Sequence, residues 1–153
     1  MPDETPRLTA ARLARAKAEA AGARHAGAFV LAADTVVAVG RRVLGKAVDA
    51  EEARRFLVLL SGRAHRVISA VSVVAPDGRA AHRSSESRLR FKRLAAREID
   101  GYIACEEWRD KAGAYAIQGR AGAFVLSLSG SYSGVVGLPL YETAALLEGL
   151  GFR

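Results

Sequence analysis

The sequence predicts an α/β fold: one domain over residues 1–153, with a central twisted mixed sheet, helices on the faces of the sheet, and a cleft. Three observations lead to this class. The length of 153 residues is that of one domain with a real hydrophobic core. Apolar, β-forming runs alternate along the chain with segments of helical periodicity. The run over residues 28–33 is apolar without interruption, which is typical of a strand buried on both faces.

The first predicted strand carries an acid and a hydroxyl within its apolar sequence. Asp34 and Thr35 separate residues 28–33 from the apolar residues 36–39, and a glycine turn then leads to Lys46. A buried unpaired carboxylate is unfavourable, so Asp34 is expected to be solvated in the cleft or bound to a cation. An acid and a lysine together suit magnesium-assisted phosphate chemistry. Alternatively, Asp34 begins a turn and Lys46 is one more surface cation; the residues alone leave both readings open.

Helix start and stop signals predict four helices. Thr5 is a suitable N-cap for the first helix, and Gly22 is expected to end it. Asp49 and Glu52 have the spacing of a capping box and predict the start of the second. With their caps, the predicted helices cover residues 7–21, 49–62, 95–106 and 139–151.

Three further strands are predicted, over residues 67–75, 79–91 and 121–128. The Pro-Asp-Gly sequence at 76–78 is a turn signal that joins the first two into a long hairpin. Because the second strand of this hairpin is much more polar, we expect it at an edge of the sheet or projecting from the body. Residues 130–134 read as a polar glycine loop.

Composition narrows the functional classes. No apolar run reaches the length of a membrane span and no secretory signal pattern opens the chain, so we expect a cytoplasmic protein without a membrane partner. The net charge of +7 comes from basic residues interleaved with acids, without a basic tail. This distribution disfavours a nucleic-acid partner and is compatible with a small anionic ligand. The single cysteine, Cys105, permits no internal disulfide and is expected to be a buried or half-buried helix residue.

The segment over residues 110–119, DKAGAYAIQG, has the most side chains suited to ligand binding or catalysis within a short stretch of the chain. An acid, a lysine and a glutamine stand among alanines and glycines, which lets the backbone approach a ligand closely. Ordering such a segment costs conformational entropy, so a purely structural role is the less favoured explanation.

Five separated motifs follow one another in a fixed order over almost the whole chain. They are Ala33-Asp34-Thr35; Leu44-Gly45-Lys46; Leu60-Ser61-Gly62-Arg63 with His65; Asp110-Lys111-Ala112-Gly113 with Tyr115 and Ile117-Gln118-Gly119; and Gly130-Ser131-Tyr132 with Val136-Gly137-Leu138-Pro139. In this order they resemble the Maf family of nucleoside triphosphate pyrophosphatases. The resemblance implies a single Maf/ITPase-like domain over residues 1–153.

The resemblance also implies a reaction and its central residues. The family hydrolyses nucleoside triphosphates between the α and β phosphates to a monophosphate and pyrophosphate, a house-cleaning role that depends on Mg²⁺ or another divalent cation such as Mn²⁺. By this resemblance Asp34 would hold the metal or activate the attacking water. Lys17 and Lys46 would neutralise the triphosphate, and Gln118 would contribute a polar contact beside the reacting phosphate. Positioning and fixed charge are the main catalytic requirements of such a reaction.

Further roles follow from the same motifs. The resemblance implies that five residues bind the substrate: Lys17, Thr35, Arg63, His65 and Lys111. Arg63 and His65 form the Ser-Gly-Arg-x-His version of the motif, which the family associates with dTTP, UTP and modified pyrimidine nucleotides. For His65 the alternative is a satisfied histidine at the entry of a strand. Glu4 would be a second metal ligand, and Asp110 and Lys111 could instead stabilise the loop by pairing with each other.

The chain departs from the family at its start. The family's opening strand and Ser-x-Ser-x-Arg-Arg loop have no counterpart near residue 1, so we expect a chain that is N-terminally truncated relative to the family and lacks those phosphate donors. This departure motivates an alternative function, a catalytically weak nucleotide-binding or regulatory protein linked to septum formation. A nucleic-acid-binding role ranks third. A homodimer is possible, because a second copy could cover an exposed apolar edge.

Overall fold

A computed structural model describes residues 4–153 of the chain. Its helices are α1 (Pro6–Arg24), α2 (Ala50–Leu60), α3 (Ala96–Ala104), α4 (Tyr132–Val136) and α5 (Leu140–Gly149). Its strands are β1 (Val30–Val39), β2 (Arg42–Leu44), β3 (Ala64–Val74), β4 (Ala80–Phe91) and β5 (Val125–Ser129), and a 3₁₀ helix (Arg120–Phe124) precedes β5. Within these residues no helix is long and apolar enough to cross a membrane.

The five strands form one sheet in the order β2-β1-β3-β4-β5. β1 pairs antiparallel with β2, and β4 pairs antiparallel with β5. β3 and β4 form the predicted hairpin, in which the Ala75 amide donates to the Arg79 carbonyl at 2.8 Å. The α/β class with a central sheet is therefore confirmed. These pairs are antiparallel, whereas a mixed sheet was expected. Short turns join β1 to β2 and β3 to β4, as antiparallel neighbours allow, whereas α3 and the 3₁₀ helix lie between β4 and β5.

The helix starts follow the predicted caps. Thr5 accepts a hydrogen bond from the Leu8 amide at 3.2 Å, and Asp49 accepts one from the Glu52 amide at 2.8 Å. The carboxylate of Glu52 reaches back to the Val48 amide at 3.1 Å. The predicted end of α1 at Gly22 is wrong by two residues, since the helix continues to Arg24.

Three strand predictions need correction. The beginning of β1 is not buried on both faces: Leu31 is 41% exposed, and residues 36–39 form the buried part. β4 is not an edge strand, because it lies between β3 and β5, and burial alternates along it. Residues 121–128 are not one strand: a 3₁₀ helix occupies 120–124 before β5 begins. The predicted loop over 130–134 contains the start of α4, N-capped by Ser131.

The chain divides into two compact units, and β1, β3 and β4 each contribute to both. The first unit comprises the chain up to Thr35 together with Ile68–Glu86 and Ser131–Arg153. The second comprises Val36–Val67 and Ser87–Gly130. The prediction of one domain over residues 1–153 stays a prediction.

Each unit has its own packing. In the first, Val71 and Val73 of β3 pack against Leu146 and Leu150 of α5. In the second, a cluster of edge-to-face aromatic contacts joins His65, Phe91, Tyr102, Tyr115 and Phe124. Cys105 is half-buried at the C-cap of α3, as predicted.

Candidate active site

Asp34 and Lys17 form a close ion pair in the first unit. Lys17 Nζ lies 2.5 Å from Asp34 Oδ1 and 3.4 Å from the carbonyl oxygen of Ala33. Asp34 lies within β1, which continues to Val39, so it does not begin a turn. The Asp34 side chain is 15% exposed and that of Lys17 is 55% exposed. The structure thus brings together a sheltered carboxylate and an exposed ammonium group, from two of the residues that the sequence analysis assigned to phosphate chemistry.

Thr35 points away from Asp34. Successive side chains of a strand lie on opposite faces, and the Thr35 hydroxyl lies 2.7 Å from that of Ser69 on β3. Ser69 Oγ donates to the Gly134 carbonyl oxygen at 2.5 Å, and a carbonyl can only accept. The single hydroxyl proton of Ser69 is therefore used, and Thr35 must donate to Ser69. A substrate contact by Thr35 stays a prediction, and its hydroxyl could only accept in such a contact.

Glu4 is held by an arginine of α1. Its carboxylate accepts hydrogen bonds from Arg12 Nε at 3.0 Å and Arg12 Nη2 at 3.0 Å, and from the Thr9 hydroxyl at 3.2 Å. The hydrogen bond from Arg12 holds the pKa of Glu4 below its usual value. No group of three or more His, Cys, Asp or Glu residues that could hold a metal ion occurs within residues 4–153. The metal role of Glu4 therefore stays a prediction, and its present partner is Arg12.

Lys46 and Lys111 flank a backbone pairing in the second unit. Lys46 forms an isolated antiparallel bridge with Ala112, and the Gly113 amide donates to the Gly45 carbonyl at 3.0 Å. Both lysine side chains are exposed. The two lysines are 65 positions apart in the sequence and belong to different motifs. The backbone pairing brings these two motifs together in this unit.

The turn that carries Lys111 has an unusual backbone. Asp110 has φ +59°, Gly113 has φ +68° and Ala114 has φ +67°. Non-glycine residues rarely adopt this left-handed conformation, which is retained where surrounding contacts enforce it. One such contact is the hydrogen bond from the Tyr102 hydroxyl to the Ala114 carbonyl, at 2.9 Å. Gln118, further along the same segment, is exposed.

His65 is buried in the second unit. The residue is 2% exposed, and its Nε2 lies 2.6 Å from the Tyr115 hydroxyl oxygen. Burial lowers the pKa of His65 to about 4, so the ring is neutral at pH 7. Burial also raises the pKa of the Tyr115 hydroxyl, which stays protonated. The geometry favours the alternative of a core histidine at the entry of a strand, hydrogen-bonded through Nε2, and the predicted substrate contact stays a prediction. Arg63, its neighbour in the motif, is exposed.

Sequence reasoning gave no role to Ser69, Tyr102 or Tyr115. Tyr115 stood within a recognised motif, and a large aromatic residue among alanines and glycines was the available signal. Ser69 and Tyr102 gave none, because their hydroxyls meet partners 65 and 12 residues away along the chain. Only the tertiary structure identifies these partners.

The buried His65 predicts a loss of stability in acid. Its pKa is about 4 in the folded state against an ordinary value of 6.5, so between these values the unfolded chain binds more protons. The contribution of His65 to the free energy of unfolding is therefore fully present above about pH 6.5. It decreases by about 3 kcal/mol as the pH falls toward 4. The measurement is the free energy of unfolding in urea from pH 7.5 to 4, for wild type and His65→Gln. The variant should show a shallower decrease; equal slopes would contradict the prediction.

Comparison with known proteins agrees with the family resemblance of the sequence motifs. The model of the family described as "Maf-like protein" matches residues 1–150. The chain is 61% identical to the dTTP/UTP pyrophosphatase of Rhodospirillum rubrum over 99% of its own length and 72% of that protein. It is 58% identical to the dTTP/UTP pyrophosphatase of Caulobacter vibrioides over 99% of its length and 78% of the relative. It is 56% identical to that of Agrobacterium fabrum over 98% of its length and 75% of the relative. The chain belongs to the Maf-like protein family.

Proposed function

We propose that this chain is a nucleoside triphosphate pyrophosphatase that hydrolyses dTTP, UTP and modified pyrimidine nucleotides to the monophosphate and pyrophosphate. The observation that carries this proposal is the set of relatives, 55–61% identical over almost the whole chain, each of which has the name dTTP/UTP pyrophosphatase. In the reaction, a water oxygen bonds to the α phosphorus, the bond from that phosphorus to the bridging oxygen breaks, and pyrophosphate leaves.

Asp34 and Lys17 are the residues of the first unit that we propose for this chemistry. Asp34 either accepts the proton of the attacking water or holds a divalent ion, and Lys17 neutralises charge on the triphosphate. The ion pair at 2.5 Å supports both roles, because it uses only one of the two carboxylate oxygens and leaves the other for a water molecule or an ion. The exposed Lys17 ammonium can move to a phosphate without losing a buried contact.

We further propose that the divalent ion is Mg²⁺ or Mn²⁺. Mg²⁺ commonly takes one or two protein carboxylates and completes its coordination with waters and substrate phosphates. A single sheltered carboxylate, Asp34, is chemically suited to such a site, whereas the carboxylate of Glu4 is engaged by Arg12. When bound, the ion would withdraw negative charge from the phosphates and so favour attack by water.

In the second unit we propose substrate roles for Lys46, Lys111, Arg63 and Gln118. All four side chains are exposed. The cations would contribute fixed positive charge for the phosphates, and the amide of Gln118 would hydrogen-bond a phosphate oxygen. A possible homodimer, a cytoplasmic location and the absence of nucleic-acid and membrane partners stay predictions.

The direct test is pyrophosphate release with Mg²⁺ from a panel of triphosphates: dTTP, UTP, 5-methyl-UTP, 7-methyl-GTP, and the three other standard ribonucleoside triphosphates. Equimolar monophosphate and pyrophosphate from dTTP and UTP would support the proposal. Parallel reactions with EDTA and with Mn²⁺ test the divalent ion. Nucleotide binding measured by calorimetry without any turnover would instead favour a catalytically weak nucleotide-binding protein.

Replacing Lys46 with alanine should weaken both substrate binding and the chemical step. A phosphate-directed ammonium interacts with the substrate in the ground state and with the additional charge of the transition state, so KM should rise and kcat should fall. We expect kcat/KM to decrease about a hundredfold, by analogy with the loss of one charge-assisted hydrogen bond. The matched control is Arg41→Ala, another exposed cation of the β1–β2 hairpin region. Equal kcat/KM values for the two variants would exclude the role of Lys46.

A further inference from the structure

The ring of His65 is enclosed by the second unit's own side chains. Phe91 and Tyr115 lie edge-to-face against it, with ring centroids at 4.9 Å and 5.5 Å. Its Nε2 is 2.6 Å from the Tyr115 hydroxyl, and its Nδ1 has no hydrogen-bond partner among residues 4–153. The residue as a whole is 2% exposed. A nucleotide outside this core therefore has no direct access to either ring nitrogen.

Tyr115 belongs to the segment over residues 110–119, whose conformation needs support. Asp110 and Ala114 hold left-handed φ values of +59° and +67°, which are unfavourable for a residue with a Cβ. Ala114 is fully buried, so it cannot relax toward solvent. Tyr102 holds the carbonyl of Ala114, and His65 holds the hydroxyl of Tyr115, the next residue. Two hydrogen bonds from aromatic and imidazole side chains thus fix consecutive residues of the strained turn.

We infer that His65 is a positioning residue, which acts through Tyr115 to fix the segment that presents Lys111 and Gln118. His65 belongs to the motif associated with pyrimidine nucleotides, yet its contacts are with this segment and with the aromatic core. The catalytic part of this inference rests on the proposed function, because Lys111 and Gln118 are proposed phosphate contacts. The triphosphate group is the same in every nucleoside triphosphate, whatever its base. Loss of the His65–Tyr115 bond should therefore slow the hydrolysis of every nucleotide by the same factor.

The test uses variants that differ in the reach of one polar group. His65→Gln places an amide near the position of Nε2 and can keep a hydrogen bond to Tyr115, whereas the shorter amide of His65→Asn reaches only the position of Nδ1. Tyr115→Phe removes the hydroxyl alone. We expect kcat/KM to fall about tenfold in His65→Asn and Tyr115→Phe, the value of one buried hydrogen bond, and to be largely restored in His65→Gln. The factor should be equal for dTTP, UTP and GTP.

A double-variant cycle separates positioning from general core damage. His65→Asn combined with Tyr115→Phe should be no slower than either single variant, because both remove the same bond. A change in the ratio of kcat/KM between pyrimidine and purine triphosphates would overturn the inference and make His65 a base-recognition residue. Unchanged kcat/KM at a temperature where all variants are folded, with only a lower Tm, would also overturn it and leave a core role.

A second readout does not depend on turnover. Hydrogen exchange of the Gly113 amide, bonded to the Gly45 carbonyl at 3.0 Å, reports the order of the segment directly. Exchange at Gly113 should be about tenfold faster in His65→Asn than in His65→Gln, for the loss of one hydrogen bond. If the wild-type chain hydrolyses no triphosphate, the proposed function fails, and this exchange measurement still decides the positioning role. Equal exchange in both variants would overturn that role.

Discussion

Replacing Asp34 with asparagine is expected to lower kcat by about a thousandfold or more, which is the scale for loss of an ionised group that acts directly on the reacting atoms. Asparagine keeps the size of the side chain but cannot accept a proton at neutral pH and is a weaker metal ligand. The fold should persist, because the partner of Asp34 is the largely exposed Lys17, and ion pairs of exposed groups contribute little to stability. The measurement is steady-state pyrophosphate release from dTTP and UTP, with the far-UV circular dichroism spectrum as the check on folding.

The control for this variant is Asp77→Asn in the β3–β4 turn. Asp77 Oδ2 pairs with Arg79 Nε at 2.7 Å, and hydrogen bonds from Arg79 lower the pKa of Asp77. This substitution also removes one carboxylate of an ion pair in the first unit, but at an exposed turn to which no catalytic role is assigned. Its kcat should equal that of the wild type. Near-normal turnover in Asp34→Asn would show that neither metal binding nor proton transfer depends on Asp34.

Replacing Gly113 with alanine is expected to destabilise the fold by about 3 kcal/mol, the sum of left-handed backbone strain and local overpacking. Gly113 has φ +68°, and a Cβ there would lie 2.9–3.0 Å from three side-chain atoms of Val37. Val37 is 2% exposed within β1, so it has little room to move. Urea unfolding followed by circular dichroism should show a lower midpoint with an unchanged m value.

Gly101→Ala is the matched substitution for this experiment. Gly101 lies in α3, its φ is not positive, and a Cβ added there would meet no heavy atom within 4 Å outside its own helix backbone and chain neighbours. Alanine favours a helix interior over glycine by up to about 1 kcal/mol, so the midpoint should rise rather than fall. If Gly113→Ala were as stable as Gly101→Ala, the close approach to Val37 would not be important for the fold.

Local signals in the sequence predicted much of the fold correctly. Thr5 and Asp49 were identified as helix caps because capping depends on residues within one turn of each other. The hairpin turn at 76–78 followed for the same reason, since proline and glycine restrict or permit particular dihedral angles locally. Asp34 was a candidate because a carboxylate interrupts an apolar strand, Lys17 was a candidate through the family resemblance alone, and the structure places the two groups 2.5 Å apart.

The sequence by itself determined four of the five α-helices, the hairpin, the α/β class and the residue types available for phosphate chemistry. Only the tertiary structure decided that β4 lies inside the sheet, that Thr35 bonds to Ser69, and that His65 bonds to Tyr115. The physical reason is the separation along the chain. Strand neighbours and buried hydrogen bonds join residues 34 and 50 positions apart, and their pairing is fixed by the packing of the whole sheet rather than by any local preference.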